Sequence, residues 1–264
     1  MRLGLVTYNL AREWDLETII GNCEETGFEG VELRTSHAHG VEVELSADER
    51  RKVRQRFDDS AVDLAGLGSA FEFDAIDPAE VRRHIEGTKR YAALAADVGT
   101  AGVKVRPNRV HDDEGVERER TFEQIGLSLR ECGESARDLG VEIRLEVHGQ
   151  ITCDPAHIRR ILDYADCDNV FACWNSNMQD LIDGSVDANF ALLAKDIRLV
   201  HQTELWSEYP YRRFYELLRE SGYSGFCLAE IPESADPVRL MRYYRALWLE
   251  LSGETSGREK AVVG

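Results

Sequence analysis

Apolar and polar positions along this chain repeat one pattern from end to end. A short apolar run is followed by a polar loop, a stretch with helical periodicity, a glycine and another apolar run. The runs predict strands at about 2–8, 30–34, 62–68, 102–106, 141–148, 169–175, 196–201 and 225–231. The 3.6-residue periodicity between them predicts helices near 13–26, 46–58, 78–97, 115–138, 155–165, 187–194, 210–220 and 237–251, all roughly bounded. Helix starts are marked locally. Ser46-x-x-Glu49 is a capping box, Asp77-Pro78-Ala79-Glu80 orders an N-cap, a first-turn proline and an N3 glutamate, and Asp154-Pro155 and Asp236-Pro237 repeat the cap and proline. Gly27, Gly99, Gly140 and Gly222 follow helices where a left-handed residue ends the last turn. Eight such alternations imply an α/β chain folded as a closed (β/α)8 TIM barrel, a single domain over residues 1–251 with a polar, flexible tail at 252–264. An open doubly wound sheet would carry a glycine-rich turn after its first strand, and Tyr8-Asn9-Leu10-Ala11 is not one.

Strand alternation then assigns charges to the barrel interior. In Val141-Glu142-Ile143-Arg144-Leu145-Glu146-Val147-His148 the apolar set faces the helices, which turns Glu142, Arg144, Glu146 and His148 inward. Glu32 and Arg34 in the second strand, and Lys104 and Arg106 in the fourth, turn inward by the same parity. A purely structural barrel fills these positions with branched apolar residues, because a buried ion costs several kcal/mol that pairing only partly offsets. Deep in the strand, Glu142 and Arg144 read as an internal ion pair. Glu146 and His148 lie at the C-terminal end, where barrel active sites are built. Strand six ends in Asn175, strand seven in His201 and strand eight in Glu230, so Glu146, Asn175, His201 and Glu230 ring one mouth. Two carboxylates, an imidazole and an amide oxygen make a mixed donor set suited to Mn²⁺, Mg²⁺, Co²⁺ or Zn²⁺.

Charge and cysteine content narrow the partners. The formal net charge is −17, which repels phosphate backbones and anionic lipid, so neither nucleic acid nor membrane is an expected partner. The six cysteines form no C-x-x-C pair and read as buried free thiols of a reducing cytoplasm. No apolar stretch reaches the ~18 residues of a membrane span, and Met1–Val6 reads as a strand rather than a signal peptide, so the expected location is cytoplasmic.

At these residues the chain resembles the xylose isomerase-like TIM-barrel superfamily of sugar phosphate isomerases/epimerases, ketose 3-epimerases, inosose dehydratase and endonuclease IV. The resemblance covers about residues 1–250. It rests on Gly27-Phe28-Glu29-Gly30-Val31-Glu32-Leu33, on Gly140 through His148, on Val200-His201, and on Tyr223-Ser224-Gly225-Phe226 running to Ala229-Glu230. It implies that Glu146, His201 and Glu230 are three of four metal ligands and that the two glutamates are an acid/base pair. Two departures stand out. The family's strand-six aspartate and the histidine three residues later are Asn175 and Met178, and its strand-seven His-x-x-Asp is His201-Gln202-Thr203-Glu204.

His148 is read as a general base or as a partner that orients a ligand. Lys104 and Arg106 either bind a carboxylate, phosphate or enolate oxygen or neutralise Glu32 and Glu146. Trp174 and Trp206 either stack on a sugar ring or pack. The function expected is divalent-metal-dependent isomerisation or epimerisation of a sugar or keto-sugar by proton abstraction next to a carbonyl. Two alternatives stay open: a dehydratase or lyase on a keto-sugar or keto-glycoside, and a non-catalytic barrel subunit that has lost full metal binding. A small carbohydrate is the expected partner, and a homo-oligomer or partner subunit is left open. An endonuclease IV-like activity is disfavoured, since that enzyme type needs a histidine-rich zinc site and this chain has seven histidines and a strong negative charge.

Overall fold

The computed structural model of the protein describes residues 1–254. Eight parallel strands close in sequence order, each hydrogen-bonded to the next and β8 to β1. The strands are β1 (Arg2–Val6), β2 (Gly30–Arg34), β3 (Asp63–Glu72), β4 (Gly102–Arg106), β5 (Glu142–Glu146), β6 (Val170–Asn175), β7 (Ile197–Gln202) and β8 (Phe226–Ala229). Eight α-helices surround them: α1 (Leu16–Thr26), α2 (Ala47–Asp58), α3 (Pro78–Val98), α4 (Arg118–Arg137), α5 (Pro155–Ala165), α6 (Asp187–Leu193), α7 (Tyr211–Glu220) and α8 (Pro237–Ser252). The (β/α)8 barrel expected from the repeat is therefore the fold.

The local signals act as the sequence implies. Ser46 and Glu49 form both bonds of the capping box, and Asp77, Asp154 and Asp236 each accept a first-turn backbone N–H. Gly27 and Gly99 close α1 and α3 with φ of 75° and 88°. Differences are confined to ends. The third strand runs on to Glu72 through an irregularity against β4, and the first and fifth stop at Val6 and Glu146. Helix α8 extends to Ser252, and the Met1 ammonium pairs with Glu254 at 3.1 Å, so the barrel passes the expected boundary at 251. The part of the expected tail at 255–264 lies outside the described residues. No helix among the described residues is long and apolar enough to cross a membrane.

The main core lies between sheet and helices, where Val31, Leu33, Val103, Val105, Ile143, Leu145 and Val147 are all buried. A second, smaller apolar cluster of Val6, Ala65, Cys173, Leu199 and Leu228 plugs the barrel axis. Beneath that plug lies the expected ion pair: Arg144 Nη2 meets Glu142 Oε2 at 3.0 Å and Arg144 Nη1 donates to the Ala65 carbonyl. The plug separates this pair from the C-terminal mouth, where Glu146 and His201 lie.

Candidate active site

Each strand end delivers one group because parallel strands of a tilted barrel finish at one rim. In register, Glu146 lies beside Cys173, Asn175 beside His201, and Gln202 beside Ala229, the residue before Glu230. His201 sits centrally. Its Nδ1 is 3.2 Å from Glu146 Oε1 and 3.8 Å from Glu230 Oε2, while its Nε2 is 3.3 Å from Glu32 Oε1. Lys104 Nζ reaches Glu146 Oε2 at 2.9 Å, and Asn175 Nδ2 donates to Glu146 Oε1 at 3.3 Å. Each of Glu146, His201 and Glu230 offers one donor atom, and the three lie within 4.8 Å of one another. Asn175 Oδ1 is buried and has no hydrogen-bond partner. A buried amide oxygen without a donor is costly, and two carboxylates with an imidazole make a donor set of the kind that suits a hard or borderline divalent cation.

The electrostatics divide the two glutamates. Burial raises the pKa of Glu146, but Lys104 and His201 outweigh burial and hold it well below the usual carboxylate range. Burial raises Glu230, and His201 only partly offsets it, so its carboxyl stays above the ordinary value. His201 is opposed by burial, yet Cys173, Glu32 and Glu146 hold its imidazole well above the normal value. Lys104 likewise stays charged, because Glu146 and Glu32 overcome its desolvation.

Glu32 is the residue that motif reasoning passed over. Its inward parity was legible, but nothing in the sequence pairs it with a residue 169 positions away (201 minus 32). Fully buried, its Oε1 lies 3.3 Å from His201 Nε2, a charge contact without hydrogen-bond geometry, while Nδ1 faces Glu146 and Glu230; a carboxylate in this place can orient a ligating imidazole. Glu32→Gln is expected to weaken Mn²⁺ binding about 10- to 100-fold, read by isothermal titration.

A cavity of about 300 Å³ opens above this cluster, lined by Tyr8, Arg34, Lys104, Arg106, Glu146, His148, Asn175, Asn177, Thr203 and Glu230. Arg34, Lys104, Arg106 and His148 thus face the site as parity implied, whereas Tyr8, Asn177 and Thr203 join it from loops and strand ends that no motif marked. Trp174 does not line it. One position before the inward Asn175, it points outward, is fully buried, stacks on Phe214 and donates to the Tyr209 hydroxyl at 3.1 Å. Its expected role on a sugar ring is corrected: it packs the β6 exterior. Trp206 is 78% exposed, bonds Glu204 and lies off the cavity wall. Met178 is exposed as well, and Glu204 turns to Trp206 rather than to the cluster.

The loop after β5 is fixed by one glycine. Gly149 has φ of 101°, and a Cβ there would overlap the Asn108 carbonyl, while Thr152 Oγ1 ties Asn108 O and His148 O together at 2.9 and 2.8 Å. Gly149→Ala is expected to destabilise the protein by about 3 kcal/mol and to displace His148, measured by urea unfolding.

Known proteins of this shape carry related names. The barrel superimposes on D-psicose 3-epimerase with a TM-score of 0.82 at 14% identity, covering 96% of this chain and 100% of that one. It superimposes on the IolI protein with a bound zinc atom at 0.79 and 17%, covering 97% and 100%. A probable 3-DHS dehydratase of Bacillus anthracis aligns at 0.69 and 15%, covering 95% and 98%. At these identities the likeness establishes the fold. No curated sequence matches the chain. The family model of the xylose isomerase-like TIM barrel matches residues 20–248, and the chain belongs to that family.

Proposed function

We propose that this protein is a divalent-metal-dependent isomerase or epimerase that moves a proton next to the carbonyl of a keto-sugar, through an enediolate. One observation carries the reading: donor atoms of Glu146, His201 and Glu230 lie within 4.8 Å of one another at the floor of the cavity, with the two carboxyl groups shifted in opposite directions. Carboxyls pushed apart in this way take different tasks. Glu146, kept ionised by Lys104, would serve as a charged ligand. Glu230, raised by burial, would exchange the substrate proton. Glu146, Asn175, His201 and Glu230 would hold the cation, which acts as a Lewis acid on the substrate carbonyl. Burial depresses His148 below its ordinary pKa, and Lys104, Arg106 and Arg34 add to that effect against Glu146, so it stands neutral in the cavity wall as a second proton acceptor. The zinc bound by the IolI protein and the epimerase named among the structural relatives are consistent with this chemistry.

The test is metal content followed by isotope exchange. Protein without an affinity tag should carry or take up about one equivalent of Mn, Co or Zn. In D₂O the loaded protein should place deuterium beside the carbonyl of a keto-sugar, read by NMR. A protein that stays metal-free in added Mn²⁺ would sink the reading and bring the non-catalytic subunit forward. Elimination remains the second reading, because exposed Met178 supplies no proton carrier where the family has a histidine. Loss of a substituent in place of deuterium exchange would identify it.

A further inference from the structure

We propose that Arg34 and Arg106 form an anion subsite in the cavity wall, so that the substrate is an acidic keto-sugar bearing a carboxylate or phosphate. This inference rests on the keto-sugar reading above and narrows it.

The cavity is cationic where the chain is not. Its lining holds Arg34, Lys104 and Arg106 against the carboxylates of Glu146 and Glu230, in a protein of net charge −17. Occupancy of the proposed metal site by a divalent cation would make the lining more positive still. A low-dielectric cleft of that sign concentrates anions from solution, whatever the charge of the whole surface.

The three cations are not equivalent. Lys104 is committed to Glu146 at 2.9 Å. Arg106 pairs with Glu72 through Nη2 but keeps a buried Nε without any partner. Arg34 has no carboxylate at ion-pair distance among the described residues, and its guanidinium lies 5.2 Å from the centroid of the Tyr8 ring. This cation–π contact holds the guanidinium over the ring, and its N–H groups, with no carboxylate partner among the described residues, can grip two oxygens side by side. His148 stands on the same wall as a further polar side chain. A neutral sugar would leave a half-buried, unpaired guanidinium in a cavity of only about 300 Å³. An acidic group on the substrate pairs with the Arg34 guanidinium and gains from the charge of Arg106 on the same wall.

The test is ligand binding, which is independent of turnover. Mn²⁺-loaded protein is titrated by calorimetry with D-fructose, 5-keto-D-gluconate and D-fructose 6-phosphate, which share a keto-sugar frame and differ in charge and in its source. The expected result is that at least one acidic probe binds about tenfold or more tightly than fructose. The preferred probe distinguishes carboxylate from phosphate. Arg34→Gln is expected to erase the preference while keeping its metal, and Arg34→Lys to restore part of it. Equal binding of fructose and both acids, binding of neither acid, or an unchanged preference in Arg34→Gln would overturn the proposal. Failure of the proton-transfer reading looks different: the acid binds through Arg34, and no deuterium enters it.

Discussion

His201→Ala is expected to abolish divalent-metal binding at micromolar Mn²⁺, read by elemental analysis, while the barrel stays folded. The loss should exceed that of any other single ligand, because His201 Nδ1 is the group that faces both Glu146 and Glu230. Removing it also leaves Glu32 and Glu146 buried without their shared cation, which costs about 3–5 kcal/mol of stability in comparable pairs. Circular dichroism therefore accompanies the metal assay, and His201→Gln provides a variant that still fills the space. The same residue sets the pH dependence. The folded protein holds His201 above its ordinary pKa, so at neutral pH it carries a proton that a cation must displace. Affinity should rise with pH across the neutral range by up to about tenfold per unit, with about one proton released per Mn²⁺ bound. Metal affinity independent of pH, with no proton release, would show that His201 is not a ligand.

Glu230→Gln is expected to lower the deuterium exchange rate about 10²- to 10⁴-fold at saturating Mn²⁺, the range for loss of a positioned acid or base. Glutamine keeps an oxygen donor of the same reach, so metal content at saturation should survive the substitution. Glu146→Gln offers the contrast. Lys104 holds Glu146 ionised at 2.9 Å, so losing that charge should act first on metal affinity and leave Lys104 unpaired. If both variants fall equally in metal and in exchange, the two carboxylates do not divide the work.

The sequence carried most of this fold because its signals are local. Capping boxes, first-turn prolines and terminal glycines act within a few residues, and eight repeats of one unit leave little choice but closure. Alternation within a strand is equally local, which is why Glu32, Arg34, Lys104 and Glu146 read as inward from the sequence alone. The same rule, applied one position before the inward Asn175, turns Trp174 outward, where Phe214 and Tyr209 enclose it. Tertiary structure decided what parity cannot: which inward groups touch. Closure of the barrel brings Glu32 to His201 Nε2 and so fixes which ring nitrogen is left for a ligand. It commits Lys104 to Glu146, and it leaves Arg34 over the Tyr8 ring without a counter-charge among the described residues. Those pairings depend on distances across the barrel axis, set by tilt and register of strands far apart in the chain, and no local pattern encodes them.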